Sequence, residues 1–171
     1  PLAVENTNLK AAQLSREQGA ANMQRFEQAL ESLRLSAVGT TNERQIESEA
    51  YRALVAGLKL FNLHTPHIAE AEDTAMDALE ARMQAEGDIV RQSLTRLDAL
   101  VDAESQATLS QVSAAFTDFL ALTDQVVRLS RLNSNISTRA NCHTHISCSN
   151  SRCIVNAITY HRHHLTFGLK F

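Results

Sequence analysis

The sequence predicts an all-α fold, an antiparallel up-down-up-down four-helix bundle followed by an irregular C-terminal tail. Three observations lead there. Apolar residues recur at spacings of three and four along most of the chain, the period of a helix with one buried seam. Only 5 Gly and 2 Pro stand among 171 residues, so the closely spaced turn signals of a β-sandwich or barrel are missing. Hydrophobic residues make up 44%, charged residues 20% and aromatics only 5%, a balance that suits long amphipathic helices. The length fits one domain rather than two.

The first helix is expected from about Thr7 to Val38. Leu9, Ala12, Arg16, Gly19, Met23, Phe26, Leu30, Leu33 and Ala37 form a heptad seam, interrupted by Arg16. Gly39 supplies a left-handed stop. Asn42-Glu43-Arg44-Gln45 has the form of a capping box, an acceptor at the cap and Gln three residues on. The second helix then runs to about Leu63, with Ile46, Ala50, Ala53, Gly57 and Leu60 as its seam and Leu54, Leu58 and Phe61 widening it. His64-Thr65-Pro66-His67 breaks the pattern, with Thr65 as N-cap and Pro66 at the first helical position, where its missing N–H costs nothing.

The third helix is expected from Pro66 to about Val101, through Met76, Leu79, Met83, Glu86, Val90, Ser93, Leu97 and Leu100. The fourth seam is Leu109, Val112, Phe116, Phe119, Thr123, Val126 and Ser130. The phase slips between Asp102 and Ser105, which reads as a tight turn with Asp102 as N-cap. A single long helix with a stutter is the alternative. Short links between long helices favour the up-down-up-down bundle. The polar residues within the seams, Arg16, Glu86, Thr123 and Ser130, read as register-setting positions, with the lining of a ligand cleft as the alternative.

Charge divides the chain. Residues 1–135 hold 12 Lys+Arg and 19 Asp+Glu, a net of −7, whereas residues 136–171 hold 4 Lys+Arg and no acid, a net of +4. All three Cys and five of the seven His lie in that second stretch. The bundle is therefore assigned to 1–135, and 136–171 to an irregular, Cys/His-containing tail, disordered or non-native. An interaction tail and a zinc site are its alternatives, because Cys142, His143, His145, Cys148, Cys153, His161, His163 and His164 are suitable ligand types at no recognised zinc spacing. The net charge of −3 speaks against a general nucleic-acid binder. No apolar run approaches the roughly 18 residues of a membrane span, and the opening at Pro1 reads as that of an excised or processed piece.

Candidate chemistry in residues 1–135 is sparse. Di-iron bundles need Glu-x-x-His pairs on two helices, which His64 and His67 do not provide; they read as a solvated loop pair. No nucleophile elbow, P-loop or dinucleotide fingerprint occurs, so no catalytic residue, cofactor or metal is expected and the chain is not read as an enzyme. The arginines carry more. In the expected topology Arg34, Arg44, Arg91 and Arg96 gather near one pole, with Arg25 further along the first helix. A planar guanidinium fork suits a carboxylate, while pairing with Glu31, Glu47 and Asp98 on solvated faces is the plainer reading.

Four long helices, an arginine-bearing first helix, Ala/Gln/Glu-rich seams and a last helix ending in Gln125-Val-Val-Arg-Leu-Ser-Arg-Leu-Asn-Ser-Asn135 resemble the four-helix-bundle ligand-binding domain of bacterial methyl-accepting chemotaxis proteins, over about residues 5 to 135. The resemblance implies a periplasmic sensor domain of an inner-membrane, transmembrane chemoreceptor that forms a homodimer through its first helix. It implies a small organic acid or amino acid bound at the membrane-distal part of the bundle or dimer interface, and a small displacement of the last helix as the signal. In that family arginines late on the first helix and a Thr on the fourth hold the ligand carboxylates. Arg25 and Arg34 stand in comparable places and Thr108 is the nearest match, which with Arg44 and Arg91 makes the expected ligand-binding set. The family continues its last helix into a membrane span, which the sequence of this tail does not. The alternative function is a structural or coiled-coil-type helical interaction protein without a small ligand.

Overall fold

A computed structural model describes the backbone of residues 6–147 and the side chains of residues 6–132. The fold is all-α; among the described residues there is no strand. Among the described residues six α-helices follow in order: α1 (Thr7–Leu14), α2 (Ala20–Ser36), α3 (Glu43–Asn62), α4 (His64–Ala69), α5 (Asp73–Leu100) and α6 (Gln106–Ser147). Residues Ser15–Gly19 join α1 to α2 as one π-helical turn. Tertiary contacts divide the chain into Pro1–Ser134 and Asn135–Phe171. No helix among the described residues is long and apolar enough to cross a membrane.

The seams largely define the core. Phe26, Leu30 and Leu33 of α2, Ile46, Ala50, Ala53 and Leu60 of α3, Met83, Val90 and Leu97 of α5, and Val112, Phe116 and Phe119 of α6 are buried in one apolar cluster. A smaller cluster joins Ala11 to Leu122 and Val126. Every expected seam position of the fourth helix, including Thr123 and Ser130, is buried. Leu58, expected to widen the α3 seam, is exposed.

Four expectations are corrected. The seam of the first helix holds from Gly19 onward but not before it. The π turn accommodates an extra residue, so the buried positions upstream are Ala11 and Ser15, while Leu9 and Arg16 face solvent. The third helix does not run unbroken from Pro66. α4 ends at Ala69, Glu70 is extended at φ −76° and ψ 144°, and α5 starts afresh at Asp73. Glu70 closes that break by accepting the backbone N–H groups of Ala71 and Glu72. The capping box at Asn42 does not form. The Asn42 amide donates instead to the Leu100 carbonyl at 2.8 Å, and Glu43 accepts from the Gly39 N–H. Finally, α6 continues as helix to Ser147, so 136–147 is not irregular. No Gly or Pro lies between Gln106 and Cys148 to stop it. The rest of the Cys/His tail, 148–171, and the side chains of Cys142, His143 and His145 lie outside the described residues.

The expected stop at Gly39 and the expected turn after α5 are present, the latter with Ser105 rather than Asp102 in the N-cap position of α6. Gly39 has φ 81°, a left-handed conformation that Gly adopts at no steric cost. Asp102 Oδ1 accepts from the Ser105 N–H at 2.9 Å, and the Ser105 carbonyl receives the first helical bond, from Leu109. The slip of phase there is a turn between two helices.

Candidate functional site

Hydrogen bonds gather the helix ends at two places. Near one, the Ser36 hydroxyl, which donates to the Leu33 carbonyl at 2.8 Å, lies 3.1 Å from Ser105 Oγ, Asn42 reaches Leu100, Arg96 pairs with Glu49 at 3.1 Å and Gln106 donates to Asp98 at 2.6 Å. Here α2 and α3 leave a groove of about 930 Å³ between them. Arg34, Arg44, Glu27, Glu31 and Glu47 line it, with Leu30, Tyr51 and Leu54 as its apolar floor and wall. Arg34 forks onto Glu31 at 2.9 and 2.7 Å, with Glu47 at 3.7 Å. The Arg34 hydrogen bond holds the Glu31 carboxyl below its ordinary pKa. Arg44 is exposed and has no ion pair among the described residues.

The five expected ligand residues therefore separate. Arg34 and Arg44 share the α2–α3 groove. Arg25 is exposed on α2. Arg91 pairs with Asp88 at 2.6 Å and borders a smaller cavity of about 260 Å³ between α5 and α6. Thr108 is half-buried in the first turn of α6 and lines neither cavity. α2, α3 and α5 carry the arginines on different faces, so nearness in sequence to one end did not bring them onto one ligand.

The second gathering place is built around His64 and His67. His64 and His67 are both 0% exposed, which corrects the solvated-pair expectation. Spacing i, i+3 puts them on one face of α4, and α4 lies against α1, the π turn, α5 and α6. His64 Nδ1 is 2.9 Å from Ser15 Oγ and its Nε2 is 3.1 Å from Thr123 Oγ1. The Thr123 hydroxyl donates to the Phe119 carbonyl at 3.0 Å. With that single proton committed, Thr123 accepts from Nε2–H, and Nδ1 accepts from Ser15. Neutral His64 is thus held in one defined tautomer, with its proton on Nε2. Phe119 stacks on the ring at 5.9 Å and Phe61 meets its edge at 5.4 Å. Burial, then the nearby His67, push its pKa down to about 4.

His67 has charged surroundings. Its Nε2 is 2.9 Å from Glu80 Oε1, and its Nδ1 is 2.6 Å from Ser130 Oγ, which also lies 3.1 Å from the Val127 carbonyl. The same Glu80 oxygen accepts from Arg131 Nε at 2.7 Å. Arg131 further engages Asp77 and Asp73 of α5. Burial draws the Glu80 carboxyl upward, but the bonds from Arg131 and His67 outweigh it and hold its pKa below the ordinary value. Hydrogen bonding to Glu80 raises that of Arg131.

Thr123 and Ser130, read as register positions, are therefore the hydroxyl partners of the two histidines. The signal was present in the fourth seam, where two hydroxyl residues seven apart interrupt an apolar stripe. Their partners stand 59 and 63 residues away, a distance no periodicity reports. Among the described residues no group of three His, Cys, Asp or Glu is arranged to hold a metal ion. No family model, curated protein or solved structure matches the chain.

Proposed function

We propose that residues 1–135 are an antiparallel up-down-up-down four-helix bundle serving as the periplasmic sensor domain of an inner-membrane chemoreceptor. It binds a small organic acid or amino acid in the α2–α3 groove. The observation that carries this reading is Arg44, a guanidinium without an ion pair among the described residues, in the same groove as Arg34. A ligand carboxylate takes the free fork of Arg44 as a charge-assisted, bidentate partner. Arg34 joins by giving up part of its exposed bond to Glu31, which costs little because such surface pairs are weak. The apolar side of Leu30, Tyr51 and Leu54 receives the rest of the ligand.

The bonds between Ser36 and Ser105 and between Asn42 and Leu100 support the bundle topology, since they bring the ends of α2 and α5 beside the starts of α3 and α6. They also offer a route by which a change in the groove displaces α6. Exposed Leu9 of α1, Leu35 of α2 and Val38 in the turn that follows it support a homodimer through the first helix of the chain. The same exposed apolar residues suit the alternative, a structural helical protein that binds other helices and no small ligand.

A thermal-shift screen of dicarboxylates, hydroxy acids and amino acids tests the reading. At least one compound raises the melting temperature of the wild type, and Arg44→Ala abolishes the rise while Arg25→Ala preserves it. A flat response across the panel selects the structural alternative.

A further inference from the structure

We infer that α4 is an acid-released latch, closed on the π turn and α6 by neutral His64 and opened when that imidazole takes a proton. This goes beyond ligand binding in the α2–α3 groove and does not depend on it. Three features of the geometry combine. First, α4 is only six residues long and is flanked by the turn at Leu63 and the extended break at Glu70, so it can leave without unwinding α3 or α5. Second, polar bonds carry much of its hold on the rest: His64 to Ser15 and Thr123, His67 to Ser130 and Glu80, and the Ile68 carbonyl to Asn8 at 2.9 Å, beside the packing of Ile68 on Ala11, Leu122 and Val126 and of the His64 ring on Phe61 and Phe119.

Third, the two histidines have opposite surroundings. Against His67, α5 presents Glu80 and α6 presents Arg131, itself tied to Asp77 and Asp73. A carboxylate is in place there to compensate a charge. Against His64, the π turn presents the Ser15 hydroxyl, α3 the Phe61 ring, and α6 the Phe119 ring and the Thr123 hydroxyl. The one charged influence on it among the described residues is His67, one turn away, and it is repulsive. A proton on His64 is an uncompensated buried charge, and exposing the ring to water is the relief.

The magnitude follows from linkage. A ring that titrates at 6.5 when exposed and at about 4 when buried makes opening roughly 20-fold more favourable at pH 5 than at pH 7. Opening frees Ser15, where the irregular turn of the first helix is anchored, and Thr123 on α6, so acid loosens the contact between those two helices.

Hydrogen–deuterium exchange of the full chain at pH 7 and pH 5, corrected for intrinsic rates, tests this. Peptides covering 8–20 and 60–72 lose protection by about 20-fold at pH 5, while peptides around Ala53 and Val90 keep theirs. In His64→Gln the step disappears. Unchanged protection in the wild type, an equal loss in every helix, or a step retained in His64→Gln overturns the latch. Should that variant not fold, NMR titration of the wild-type imidazoles decides. His64 staying neutral in the closed state down to about pH 5, as opening grows, supports the latch. Its titration near 6.5 with protection unchanged refutes it.

Discussion

His64 and Glu80 set how stability answers to pH, and they do so in different windows. The unfolded chain binds a proton at His64 near 6.5, whereas the folded chain resists it to about 4. Above 6.5 both states are neutral and nothing changes. As pH falls from 6.5 to 4, the unfolded state alone is protonated, and the fold loses on the order of 3 kcal/mol. Glu80 is depressed in the fold, so its contribution is present above its ordinary value of 4.5 and is lost as pH falls through the lower folded value. Urea denaturation at a series of pH values should therefore show two descending steps. His64→Gln removes the upper one. Glu80→Gln leaves the upper step in place and lowers stability near neutral pH by about 1–3 kcal/mol, because His67 and Arg131 lose a charged acceptor.

At the scale of elements, the π turn is the feature that aims Ser15 at His64. A regular helix through the same residues would centre Ala12 on the buried face, with Ser15 and Arg16 on either side of it; the π turn rotates Ala11 and Ser15 to its centre and Arg16 out to solvent. Gly19 closes the turn. A Cβ there would stand 3.0 Å from Phe61 Cε2 and 3.3 Å from Leu122 Cδ2, and Phe61 is the ring at the edge of His64. Gly19→Ala gains up to about 1 kcal/mol of helix propensity and incurs an overpacking cost of about 1–3 kcal/mol. We expect a net loss of about 1 kcal/mol, read as a lower urea midpoint, with a displaced Phe61 ring resonance. Gly39→Ala offers the contrast: it meets no atom within 4 Å, so its loss comes from the backbone alone.

At the scale of the whole molecule, the main apolar cluster draws on α2, α3, α5 and α6 together. Phe26 and Phe116 meet at 5.3 Å, and Phe119 lies 6.2 Å from Phe61, so aromatic pairs cross between helices. One shared cluster predicts one cooperative transition. Phe26→Ala and Phe119→Ala should each cost about 3–5 kcal/mol and lower the urea midpoint with little change in the slope. Biphasic unfolding of either variant would instead mean that the helices do not share a core.

Much of this was legible along the chain because helical burial has a period. The seams of α3 and α6, the stop at Gly39 and the turn at Asp102 all follow from residues within one or two helical turns of each other, and such short-range physics is written in sequence order. The ligand expectation was legible only as residue type: Arg34 and Arg44 meet in a groove, while Arg25, Arg91 and Thr108 stand elsewhere, because which face a residue occupies depends on how the helices pack. His64 and His67 depended wholly on tertiary structure. Two polar residues beside a proline look like a loop until the hydroxyls of Ser15, Thr123 and Ser130 and the carboxylate of Glu80 arrive from other helices. Burying a polar ring is favourable only with such partners in place, and those partners are brought together by folding itself.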